Sequence, residues 1–229
     1  MSVTITETIW VIIPAFNEGE VIREVVSGLL SHYRNVVVVD DCSLDATRAE
    51  ALAGGAIVLR HPINLGQGAA LQTGLDYAIA QGAEYLVTFD ADGQHRVEDI
   101  KVLLDVQEKT NADIVVGSRF LGGTENLPPL RKFVLKLAVR FTRITSGLNL
   151  TDAHNGLRLL TRRAATVIKI KQNRMSHASE IMDQIPGKGL SIAEAPVTIV
   201  YTEYSLSKGQ KLSNAFNIVA ELIVGRLMK

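Results

Sequence analysis

The sequence predicts an α/β fold, with a mostly parallel, Rossmann-like central sheet and helices on both faces. Three observations predict it. Short apolar runs of strand type alternate with stretches of helical periodicity through the first half of the chain. Three of those runs end in acids or turn residues, at positions 14–18, 40–41 and 90–92, where an open parallel sheet keeps its ligand crevice. A length of 229 residues with 47% apolar content supplies the core of one large domain.

Residues 9–14, Ile-Trp-Val-Ile-Ile-Pro, form a continuous apolar run of buried-strand type. Asn17 is placed to cap a helix whose apolar side is Val21, Val25, Leu29 and Leu30. Residues 36–39 are a second buried strand, closed by Asp40-Asp41-Cys42-Ser43, and Asp45 is placed to cap a helix over 47–52. Residues 56–59 make a third strand and 69–80 a helix. Residues 84–88 make a fourth strand, 97–109 a helix and 113–117 a fifth strand.

The second half changes character. Residues 121–126 read as a mobile loop, and Pro128 and Pro129 open a helix whose apolar residues are Leu130, Val134, Leu137, Phe141 and Ile144. Lys132, Lys136, Arg140 and Arg143 form a basic stripe on another face, either an ordinary solvated face or a surface for anionic phosphates or lipid head groups. Residues 152–158 read as a polar turn, and a helix follows that carries Glu180 and Asp183. Residues 192–201 read as a strand interrupted by Pro196, 205–210 as a loop, and 214–228 as a helix apolar on most faces. That last helix could dock on the core, self-associate or lie on a membrane.

Composition excludes several classes. Formal net charge is zero, which argues against a general nucleic-acid binder, although residues 127–151 hold no acid and five Lys or Arg residues. The single cysteine, Cys42, excludes an internal disulfide and fits a reducing compartment. Residues 2–8 lack a signal-peptide core, and no apolar run approaches the ~20 residues of a spanning helix. A protein of the cytoplasm is expected, either soluble or peripheral on the cytoplasmic membrane face.

The chemistry concentrates at Phe89-Asp90-Ala91-Asp92-Gly93-Gln94-His95. The fourth strand runs into two carboxylates at i and i+2, which an extended backbone places on one side. With the Gln94 amide oxygen they suit Mg²⁺, a cation usually held by one or two carboxylates and completed by water and substrate phosphates. The alternative is a solvated acidic turn. Gly66-x-Gly68 at a helix start hints at a phosphate loop, but the third glycine of a dinucleotide fingerprint is absent.

The motifs together resemble those of family-2 glycosyltransferases of GT-A fold, most of all the branch containing dolichol-phosphate mannose synthase. They are Pro14-Ala15-Phe16-Asn17-Glu18, Val38-Val39-Asp40-Asp41-Cys42-Ser43, Asn64-Leu65-Gly66-Gln67-Gly68-Ala69-Ala70, the Asp90 to His95 stretch, Gly117-Ser118-Arg119-Phe120, and Asp152 with Asn155-Gly156-Leu157-Arg158. The resemblance implies one GT-A domain over 1–229, with a nucleotide-sugar-binding half at 1–118 and an acceptor-side half at 119–229. It implies a donor site of Pro14, Phe16, Glu18, Asp40, Asp41, Gly66, Gln67, Asp90, Ala91 and Arg119, the first two with Glu18 and Asp40 on the nucleoside and Arg119 facing phosphate. Asp90, Asp92 and Gln94 would hold Mg²⁺ or Mn²⁺ on the diphosphate of a GDP-, UDP- or dTDP-linked sugar. Catalysis would rest on Asp92 and Glu180, the latter where hydroxyl-glycosylating relatives commonly place a base, and the displacement would be inverting. Arg131, Arg158 and Lys208 would bind the acceptor. Ser207-Lys208 matches the lipid-phosphate branch, whereas Thr202 stands at its Arg position and Leu135 at its Ser. Polyprenyl phosphate and a glycan both remain open as acceptors, and a membrane surface or membrane protein as partner. Two rival readings are a haloacid-dehalogenase-type phosphatase using Asp90 and Asp92, and a non-catalytic nucleotide-binding subunit.

Overall fold

The computed structural model describes residues 8–127, 135, 139–140, 143, 147–152, 155–172 and 177–208, with the side chains of 206–208 excepted. Most of the helix opened by Pro128, with its residue Arg131 and the Lys132 and Lys136 of the basic stripe, the Lys208 side chain and the helix expected at 214–228 lie outside the described residues.

Seven strands form one sheet, in the order β3-β2-β1-β4-β6-β5-β7. They are β1 (Ile9–Ala15), β2 (Asn35–Asp40), β3 (Ile57–Arg60), β4 (Tyr85–Thr88), β5 (Ile114–Glu125), β6 (Arg158–Thr161) and β7 (Ile192–Val200). The helices are α1 (Ile22–Leu30), α2 (Thr47–Ala53), α3 (Gln67–Ala80), α4 (Asp99–Thr110), α5 (Arg162–Val167), α6 (His177–Gly187) and α7 (Glu203–Lys208). β1 lies parallel between β2 and β4, while β6 is antiparallel to both of its neighbours.

Strand alternation splits the core in two. Ile9, Val11 and Ile13 point to a face covered by α1 and α4 through Ile22, Val26, Leu29, Ile100 and Leu103. Trp10 and Ile12 point to the face covered by α3 and α6 through Leu71, Leu75, Ile181 and Met182. Burial on both sides explains why the first strands read as unbroken apolar runs rather than alternating ones. Fully burying each such side chain contributes about 1.5–3 kcal/mol. Gly74 lets α3 lie on β1, because a Cβ there would stand 2.3 Å from Ile12 Cγ2.

Several expectations are corrected. Asn17 does not cap α1, which begins at Ile22; Asn17 has φ 56° and its Oδ1 accepts from Leu44 N at 2.9 Å. Residues 121–125 are not a loop but the far end of β5, pairing again with β7 at Gly123–Thr198 after a register shift. Gly122 permits this, since a Cβ would meet Val197 O at 2.2 Å. Pro196 does not interrupt β7; it is exposed on a strand paired only with β5 in the sheet order, where a missing N–H is tolerated. The turn at 152–158 ends in a strand, β6, followed at once by α5, which Thr161 caps by accepting from Ala164 N. Residues 203–208 are helical. Ala46, not Asp45, is the N-cap of α2, although Asp45 Oδ1 accepts from Thr47 N at 2.9 Å just before it.

Candidate active site

The site forms where β1, β2, β4 and the start of α3 end at one edge of the sheet. Its centre is Asp90, just past β4. His95 Nε2 lies 2.9 Å from Asp90 Oδ2, and Gln67 Nε2 donates to Oδ1 at 3.3 Å. Gly156 packs so closely on this carboxylate that a Cβ would stand 2.0 Å from Oδ2. Burial opposes ionisation of Asp90. The His95 hydrogen bond and the charges of His95, Arg158 and His177 outweigh it and hold the group below the usual carboxylate range.

Asp92 behaves oppositely. Burial, followed by the charge of Asp90, pushes it up to about 6. Its oxygens accept from Gln94 N at 3.1 Å and Gln94 Nε2 at 2.7 Å. The loop is anchored from behind: Val200 N donates to Gln94 O, and His95 bridges Ile199 of β7. A pair of neighbouring carboxylates, one of them driven toward protonation by burial and by the other, is the donor set a hard divalent cation relieves. Among the described residues, no group of three His, Cys, Asp or Glu converges as a closed metal shell. Two carboxylates suit an ion that keeps substrate phosphates and water as its other ligands.

Other expected residues are placed with more detail than the sequence gives. Asp41 is buried with both oxygens engaged inside the chain: Leu65 N and His61 Nδ1 on Oδ1, Gly66 N on Oδ2. It shapes the 61–66 loop that delivers Gly66 and Gln67. Gly66 needs φ 97° to enter α3, a region glycine occupies freely. Asp40, fully buried, accepts from Ser43 N at 2.9 Å and faces Arg60 Nε at 3.4 Å. Pro14 lies within β1, Ala91 is buried, Phe16 is exposed at the rim, and Glu18 Oε2 accepts from the Tyr204 hydroxyl at 2.7 Å.

Arg119, expected to face phosphate, is instead gripped by the chain. Its Nε and N donate to Asp152 Oδ2, and its Nη1 donates to the Tyr201 hydroxyl at 2.9 Å. Arg158, expected on the acceptor, is only 2% exposed at the start of β6. Burial pulls it down to about 10 against the opposing pull of Asp90 and Asp152, so it stands as a buried cation behind the carboxylate pair. Glu180 is likewise engaged: its carboxylate accepts from Lys171 N at 3.0 Å and Gln172 N at 2.9 Å.

Sequence reasoning missed Glu194. From β7 it accepts from Thr151 N, Thr151 Oγ1 and Asp152 N at 2.8–3.0 Å, fixing the turn that presents Asp152 to Arg119. It also missed the electrostatic roles of His95 and His177. Nothing local marks Glu194 or His177, whereas His95 sits inside the motif that drew attention to Asp90.

Comparison with known proteins agrees with this geometry. The family model described as glycosyl transferase family 2 matches residues 10–168. The UDP-N-acetylglucosamine–dolichyl-phosphate N-acetylglucosaminyltransferase of Methanococcus voltae is 34% identical over 96% of this chain and 97% of its own. The polyprenol monophosphomannose synthase of Mycolicibacterium smegmatis is 33% identical over 97% of this chain and 89% of its own. Among solved structures, glucosyl-3-phosphoglycerate synthase from Mycobacterium tuberculosis, in complex with Mn²⁺ and UDP-glucose, superposes with TM-score 0.72 at 19% identity, covering 98% of this chain and 83% of that one. The likeness at that identity is one of fold, and it is the GT-A fold. Sheet, strand-end carboxylates and near full-length relatives thus converge, and a haloacid-dehalogenase phosphatase is set aside: the chain belongs to glycosyl transferase family 2, in the branch of dolichol-phosphate mannose synthase.

Proposed function

We propose that the protein transfers a sugar from a nucleotide sugar to a polyprenyl phosphate, with Mg²⁺ or Mn²⁺ and with inversion at the anomeric carbon. The observation that carries this reading is the asymmetric pair past β4, in which Asp90 is held ionised and Asp92 is pushed up to about 6. Relatives of nearly the same length carry lipid-phosphate acceptors in their names, and a structural neighbour binds Mn²⁺ with UDP-glucose. Asp90 and Asp92, with Gln94 turned from Asp92, would hold the cation, which supplies neutralisation of charge on the departing nucleoside diphosphate.

The chain's own residues do the rest. Pro14, Phe16, Glu18 and Asp40 stand at or just past the ends of β1 and β2, the part of the site assigned to the nucleoside. Gly66 and Gln67 bring the start of α3 to the diphosphate, and helix starts favour anions. Arg158 and His95 keep Asp90 charged and fixed. The acceptor phosphate is already ionised near neutral pH, so its oxygen attacks the anomeric carbon while the bond to the diphosphate oxygen breaks, and no proton has to be removed. That Glu180, Asp41 and Asp152 are all engaged by partners within the chain fits an acceptor needing no base.

The chain would work at a membrane surface without crossing it. Among the described residues no helix is long and apolar enough to span a bilayer, and Arg140 and Arg143 of the basic stripe are exposed. The test is a panel of UDP-, GDP- and dTDP-sugars offered with polyprenyl phosphate, with and without Mn²⁺, the lipid product's anomeric configuration being read by NMR. Metal-dependent formation of a lipid-linked sugar of inverted configuration is expected. Transfer only to glycan hydroxyls, or retention of configuration, overturns the proposal. Donor binding without turnover on any acceptor returns the protein to a nucleotide-binding subunit.

A further inference from the structure

Between α5 and α6 the chain runs through residues 168–172 with no sheet neighbour, yet each of its backbone N–H groups is satisfied. Ile168 N donates to Ala164 O. Lys169 N donates to Gln184 Oε1 at 3.1 Å, and Gln184 Nε2 returns a bond to Lys169 O at 2.9 Å. Ile170 N donates to Gln72 Oε1 at 2.7 Å. Lys171 N and Gln172 N both donate to the Glu180 carboxylate. Two helices therefore act as the strap's sheet partners, each through residues one turn apart. α6 offers Glu180 and Gln184. α3 offers Gln72 and, one turn earlier, Gly68, where a Cβ would stand 2.0 Å from Gln172 O. Gly68 follows Gln67, whose amide reaches Asp90.

We propose that Glu180 is a positioning residue and not the general base: with Gln184 it clamps the strap onto α3, and through Gly68 it sets the helix start from which Gln67 steadies Asp90. A carboxylate turned onto two backbone N–H groups of its own chain is held against the strap and would have to turn away from it to reach an acceptor. The clamp also explains why Glu180 and Gln184 stand at i and i+4, a spacing general-base chemistry does not ask for.

The test compares wild type with Glu180→Gln, Gln184→Ala and the double variant, with thermal unfolding as a folding control. Glu180→Asp, which keeps the charge and shortens the reach, takes its place if the glutamine variant does not fold. Hydrogen exchange at Lys171 and Gln172 should speed up in every Glu180 variant. In steady state, both single variants should raise KM for the donor and lower kcat by less than ~10-fold, well short of the ~10²–10⁴-fold typical of base removal. The pH profile of kcat should keep its shape, and the double variant should be little worse than the worse single one, because both act on one strap. The proposal is overturned if Glu180→Gln lowers kcat ~10²-fold or more with loss of a pH limb while Gln184→Ala matches wild type. Unchanged exchange at Lys171 and Gln172 overturns it as well. The kinetic arm rests on the transfer reaction proposed above; if wild type transfers to no acceptor, that reading fails and exchange alone decides the clamp.

Discussion

Gly156→Ala tests the seat of Asp90 with one methyl group. Gly156 is not in the left-handed region, so alanine can adopt its backbone conformation, and the difficulty is space alone. The added Cβ would stand 2.0 Å from Asp90 Oδ2 and 2.5 Å from Cγ. The glycine cannot easily withdraw, because its carbonyl accepts from Thr88 Oγ1 at 2.6 Å and Leu157 O accepts from Gly117 N at 2.9 Å. The carboxylate must then retreat by roughly 1 Å or more to restore ordinary contact. That retreat breaks the 2.9 Å contact with His95 and the 3.3 Å bond from Gln67. A misplacement of about 1 Å at a reacting centre is worth ~10²-fold in rate. Overpacking a tight site destabilises by about 1–3 kcal/mol. Each kcal/mol lowers Tm by ~2–4 °C in a chain of this size. The assay is sugar transfer across a Mn²⁺ titration beside a thermal melt. kcat/KM should fall ~10²-fold, with more metal needed for half-maximal rate and a Tm lower by several degrees. Wild-type turnover with an unchanged metal titration would refute the reasoning.

Asp92→Asn should abolish metal-dependent transfer while circular dichroism stays native; near-normal activity at saturating Mn²⁺ removes Asp92 from the metal set. Asp113 binds the start of β5 to β7 and α5, accepting from Ser191 N, Ser191 Oγ and Arg163 Nη1, each at 2.9 Å. Burial opposes its charge, but those partners outweigh it and lower the group, so its contribution is present above the unfolded value of about 3.9 and lost as pH falls through the folded one. Asp113→Asn should accordingly destabilise at neutral pH, with the gap to wild type closing in acid, as read by urea unfolding across pH; a gap that widens on acidification contradicts the sign. Tyr204→Phe removes the hydroxyl that donates to Glu18 and should raise donor KM several-fold with little change in kcat, measured in steady state. Flotation with anionic and neutral liposomes at two salt concentrations should show salt-sensitive binding to the anionic ones, at about 1 kcal/mol per Lys or Arg near the surface; absence from both sinks the surface reading.

What could be read from the sequence follows from where each element's partners lie. β1 to β4 and the inner part of β5 declare themselves because burial on two faces needs unbroken apolar runs such as Trp10-Val11-Ile12-Ile13. The outer part of β5 carries Gly122 and Gly123 and joins β7 through backbone bonds after a register shift, so no side-chain pattern announces it. β6 is four residues long, too short for periodicity to separate it from the turn before it. The site divides along the same line. Asp90 and Asp92 are neighbours in sequence and are legible as a pair. The asymmetry between them is not, because burial and the charges of Arg158 and His177, brought in from elsewhere in the chain, act on it together with His95.

Topology adds to that asymmetry. β6 enters antiparallel between β4 and β5, and its first residue, Arg158, pairs with Thr88, two positions before Asp90. A strand inserted there places a cation that is only 2% exposed behind one carboxylate from which 68 positions separate it in sequence. Burial lowers Arg158 to about 10, which still leaves it charged at neutral pH, and its charge helps hold Asp90 ionised. Arg158 is not among the leading influences on Asp92; burial and Asp90 act on it together, outweigh the charge of His95, and push it up to about 6. One member of the pair is thus fixed as an anion by the fold, and the other is left for whatever positive charge arrives with the substrate. The Gly156 turn that leads into β6 supplies the space and the Arg158 that follows supplies the charge, so the short strand hidden from sequence reasoning does as much to define the site as the motif that reveals it.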